Sequence, residues 1–140
     1  MNHRFSKDRD IRFDEMIEFT GMVDLEIAEE AILIVSDILS EIVAPGTFAV
    51  IDAFSETHLG MNFVRAVEKK PKEAYNVLLT VLRNEVFLEL IEKVIRRELR
   101  SRYSIKAPQG ILLKLKEGDN SAFMQMMSSI YDKLRTEKML

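Results

Sequence analysis

The chain has 140 residues, 47% of them hydrophobic and 31% charged, with a formal net charge of −3 and no cysteine. The missing thiols exclude disulfide frameworks, thiolate zinc sites, iron–sulfur clusters and cysteine nucleophiles, and five glycines and three prolines exclude collagen-like and low-complexity classes. A chain of this length buries about two-thirds of its surface on folding, enough for a core without staples, so one helical domain over residues 1–140 is expected.

Hydrophobic periodicity is helical almost throughout. The spacing predicts a first helix over 7–22, with Ile11, Phe13, Met16 and Ile17 apolar, Ser6 as N-cap and Gly21 as stop. A second is predicted over 24–43. Asp24 suits its N-cap, and Glu26, Glu29 and Glu30 stand in the opening turns, where the helix dipole favours acids. Its apolar set from Ile27 to Ile42 is wide, and Pro45 with Gly46 ends it. A third helix over 47–58 is expected to bury Phe48, Val50, Ile51 and Phe54, with His58 near its end before Gly60. A short fourth is expected over 61–70. Pro71 then opens helical character that persists to Tyr103, with Leu78, Val81, Leu82, Leu88, Ile91, Ile95 and Leu99 as its stripe. The stripe falters at Arg83, Asn84 and Glu85, which leaves one helix of about thirty residues or two with Asn84 as the second N-cap; mean helix length favours the break. Residues 111–116 alternate as a strand would, but no partner strand exists elsewhere, so a helical turn is expected. A last helix is predicted over 121–138, with Met127 filling the core and Met126 partly exposed. The fold class is thus all-α, a compact multi-helix bundle of five to seven helices, with the second and fifth segments at its centre.

The longest apolar stretch, 42–51, is interrupted by Pro45 and Gly46 and falls short of a membrane span, and the N-terminal residues alternate charges with no apolar signal core. No membrane partner and a cytoplasmic location are expected. Seven Asn and Gln in total lean toward a heat-adapted source. A 43-residue offset aligns Glu30-Ala31 with Glu73-Ala74 and Ile38-Leu39 with Val81-Leu82, but two units are fewer than a solenoid needs.

Chemistry-bearing patterns are sparse. Carboxylates recur at helical spacing (Asp14 and Glu18; Glu26 with Glu29 and Glu30; Asp37 and Glu41), yet the Glu-x-x-His pairing of bundle metal sites is absent. His3 and His58 are the only histidines, no nucleophile elbow surrounds a serine, and the glycines never cluster into a phosphate loop. No metal, no cofactor and no enzymatic activity are expected.

The charge layout is the informative feature. Residues 13–64 hold eleven acids and no Lys or Arg. Residues 93–116 hold eight cations, among them Arg96, Arg97, Arg100, Arg102 and Lys106, against the single acid Glu98. Such asymmetry speaks to partners. The expected function is a non-enzymatic interaction or regulatory module, acting through homo-oligomerisation or docking in a larger assembly. In it Arg96, Arg97, Arg100 and Arg102 face acids such as Glu26, Glu29 and Glu30, in the same chain or a neighbouring copy. The alternative is a nucleic-acid-binding accessory protein that uses the same cluster with Tyr103 and Lys106.

Overall fold

The computed structural model describes residues 24–138; His3 and the helix expected over 7–22, with Asp14 and Glu18, lie outside them. The described residues are 80% helical and contain no strand. Six α-helices follow one another: α1 (Leu25–Ile42), α2 (Thr47–Leu59), α3 (Phe63–Lys69), α4 (Pro71–Leu82), α5 (Glu85–Tyr103) and α6 (Ser121–Lys138), with a 3₁₀ helix (Leu113–Glu117) between the last two. This is the all-α bundle that the periodicity implies.

Polar side chains set most of the boundaries. Asp24 accepts the N–H groups of Glu26 and Ile27 at 3.0 and 3.2 Å, satisfying donors that the first turn of α1 leaves free. The Asp24 N–H in turn donates to the Tyr131 hydroxyl at 2.8 Å, which ties the start of α1 to α6. Asn62 caps α3 through the Arg65 N–H at 2.9 Å, so that helix begins at Phe63 rather than at 61. The segment 71–103 is two helices. Arg83 turns left-handed at φ 85°, Asn84 is extended, and its side chain accepts the Phe87 N–H at 2.7 Å. Asn120 donates to the carbonyls of Val67 and Glu68 at 3.0 and 3.3 Å, satisfying acceptors near the end of α3.

One apolar cluster joins all the helices. The centre belongs to α4, which packs against α2, α3, α5 and the 3₁₀ helix, while α1 lies against α2, α5 and α6. The expected second segment is therefore joined at the centre by only the first half of the expected fifth. Phe63 stands edge-on to both Phe48 and Phe123, with centroids 6.3 and 6.0 Å away, a favoured aromatic geometry. An enclosed apolar void of about 20 Å³ among Val35, Ile51, Leu78 and Met126 is the size of a single water and has no polar lining to hold one.

Two expectations need correction. The buried face of α2 is Thr47, Phe48, Ile51 and Ser55, so Val50 falls off it and is 55% exposed, while Phe54 is half-buried against His58. Met126 is buried alongside Met124 and Met127, so the methionine group fills core space and does not form an adaptable surface. The 111–116 stretch resolves as the 3₁₀ turn; Leu115 is buried and the lysines either side face solvent. No single helix among the described residues is long and apolar enough to cross a membrane.

Candidate functional site: a cationic cleft on α5

The second half of α5 spaces Lys93, Arg96, Arg97 and Arg100 at intervals of three and four, which brings them to one side of the helix. The helix stops at Ser104, which adopts φ 57° and donates its N–H to the Arg100 carbonyl at 3.1 Å. Beyond it the chain doubles back. Ile105 and Ala107 are buried and Lys106 is exposed, the alternation of an extended segment. That segment forms a second wall. The Arg96 Nε–H donates to the Ala107 carbonyl at 3.3 Å, which bridges the walls and restrains the guanidinium.

Between them lies a cleft of about 270 Å³, lined by Lys93, Arg96, Arg97, Arg100, Lys106 and Ala107. Five cations and no carboxylate line it. Arg97 has Glu98 at 3.5 Å, whereas Lys93, Arg100 and Lys106 make no ion pair among the described residues. Like charges held this close raise the local anion concentration and gain when an anion enters.

A buried acid braces the second wall. Glu92 is only 7% exposed and accepts the N–H groups of Gly110, Leu112 and Leu113 at 2.8, 2.9 and 3.1 Å. Gly110 is required there. Its φ is +86°, and a Cβ would lie 2.6 Å from Lys114 Cγ. The spacing Leu88, Glu92, Ile95, Leu99 carries this signal in the sequence, a lone acid inside an apolar stripe, and the charge count passes over it.

The structure separates the other expected residues. Arg102 forms a bidentate pair with Glu41 at the end of α1 and a 2.8 Å contact with Glu98, so it is engaged within the chain. The Arg102 hydrogen bond holds the Glu41 carboxyl below its usual range, and the Glu41 hydrogen bond holds Arg102 above its own. Tyr103 is half-buried against the core and does not line the cleft. Glu26, Glu29 and Glu30 stand at the opposite end of α1. Lys138 pairs with Glu30 at 2.6 Å, and Glu26 is about 22 Å along the helix from Glu41. Within one chain the acidic stretch meets the basic region at Glu41. Among the described residues no group of three His, Asp or Glu could hold a metal ion.

Fold and site together define an all-α helical protein with a cationic surface cleft. Its sequence is 32% identical over 92 residues to an uncharacterized protein of Archaeoglobus fulgidus, an alignment covering 66% of this chain and 74% of that protein, and the chain belongs to that protein's family. No family model and no solved structure matches it.

Proposed function

We propose that this protein is a non-enzymatic helical interaction module that docks carboxylates of a protein partner in the α5 cleft, the simplest partner being a second copy of the chain. The observation that carries this reading is the lining itself: five cations converge and none of the residues that line the cleft is acidic. The acids at the start of α1 do not line it, and they offer a second copy the complementary sign. Arg97 and Arg100 keep exposed stems, so a partner's carboxylates would reach them without rearrangement of the fold.

The test is solution mass by sedimentation at low and moderate salt. The wild-type chain is expected to associate, or to capture an acidic partner, in a salt-sensitive way. The double variant Arg96→Glu, Arg100→Glu is expected to lose that association while keeping its helical content. Unchanged mass in the double variant overturns the reading. A second reading, nucleic-acid binding, rests on the same row of cations. Steep loss of affinity with salt in a titration of labelled DNA or RNA would favour it.

A further inference from the structure

A different cleft opens where α4 hands over to α5, with the 3₁₀ helix as its third side. Its volume is about 580 Å³, within the range of small-molecule sites. Three cations line it: Lys72 from α4, Arg83 from the break and Lys116 from the 3₁₀ helix. Tyr75 and Leu79 supply an apolar floor, and Asn76 and Asn84 add two carboxamides.

Arg83 is the residue that needs explaining. It ends α4 at φ 85° and ψ −33°, its N–H donating to the Leu79 carbonyl at 2.7 Å. A left-handed residue after a helix is ordinarily glycine, and otherwise asparagine. Here the sequence places arginine in the strained position and asparagine one step later. A charged side chain held at a conformational cost beside a cleft is a mark of a site in use.

The one carboxylate in the lining, Glu85, is already engaged. It accepts the Tyr75 hydroxyl and the Lys116 ammonium, the latter at 3.0 Å. Arg83 and Lys72 make no ion pair with a carboxylate among the described residues. The cleft therefore has uncommitted positive charge on two of its sides. A phosphomonoester carries nearly two negative charges at neutral pH and needs more than one cation, and a guanidinium matches its oxygens two at a time.

We propose that this cleft binds a phosphorylated small molecule, its phosphate held by Arg83 together with Lys72, its polar body by Asn76 and Asn84. The site shares no residue with the α5 cleft and stands apart from the docking reading.

The test uses the full ¹⁵N-labelled chain, titrated with inorganic phosphate at constant ionic strength against sodium chloride. Saturable amide shifts confined to Asn76, Arg83, Asn84 and Glu85 are expected. Arg83→Gly is expected to weaken phosphate binding about tenfold or more, as loss of a charge-assisted pair does. Its thermal midpoint should hold or rise, since glycine accepts the left-handed backbone. The double variant Arg96→Glu, Arg100→Glu is expected to keep the phosphate response. Non-saturating shifts, a response equal to that of chloride, unchanged affinity in Arg83→Gly, or loss of the response in the double variant each overturn the proposal.

Discussion

Tyr75 shows how one side chain is written into two surroundings. Its ring is buried beneath the α4–α5 break, and its hydroxyl donates to Glu85. Burial first, then the hydrogen bond and the charge of Glu85, push the phenol from its usual 10.0 up to about 12. The sign follows from the protonated form being the one the fold favours. Tyr75 contributes in full below pH 10 and its contribution is lost as the pH rises toward about 12. A tyrosinate absorbance titration of the folded chain should show a late step that is missing in Tyr75→Phe. Wild-type and Tyr75→Phe curves that differ in amplitude alone would contradict this. The same hydrogen bond, with that from Lys116, holds the Glu85 carboxyl below its usual range.

At the scale of elements, the connector from Ser104 to Leu112 is the least regular part of the described chain and one of the best held. It has four buried apolar side chains, Ile105, Ala107, Ile111 and Leu112, and the Glu92 carboxylate anchors its end. Glu92→Gln leaves one acceptor oxygen where two oxygens met three N–H groups, and it places an amide donor against them. The variant should be destabilised by about 2–3 kcal/mol, read as a lower urea midpoint at unchanged slope. A loss of only a few tenths would mean that water replaces the carboxylate without cost. The helices themselves were legible in the sequence because their apolar stripes, Asp24, Pro71 and Asn84 all pointed the same way. The connector was not. Its order comes from an acid eighteen residues before Gly110, and neither periodicity nor a turn motif encodes a contact of that range. Val50 and Met126 failed for a related reason: which edge of a stripe is covered depends on the neighbouring helices, here α4 and α1 for α2 and α1 for α6.

For the molecule as a whole, the uneven charge is the property that survives from sequence to structure. Half of its meaning changes on the way. The basic run 93–116 divides into a part neutralised at home, where Arg102 meets Glu41 and Lys116 meets Glu85, and a part left open in the α5 cleft. The exposed pairs are worth little to stability in water, and they leave the uncompensated part of the basic run in the α5 cleft. This is why the proposed docking test reverses Arg96 and Arg100 and leaves Arg102 in place. Reversal of Arg102 would break a contact inside the chain and confuse loss of fold with loss of partner.

The three N–H groups gathered on Glu92 also carry a consequence in time. Gly110, Leu112 and Leu113 belong to no common helix ladder, yet a single carboxylate protects them, so their protons should exchange with solvent in one concerted event. That event is the parting of the connector from α5, and it takes Lys106 away from Arg96 as it happens. In deuterated buffer the three amides are expected to decay at one shared rate, faster than the core amides of α4. That rate would be the frequency with which the cleft loses a wall while the bundle behind it stays folded.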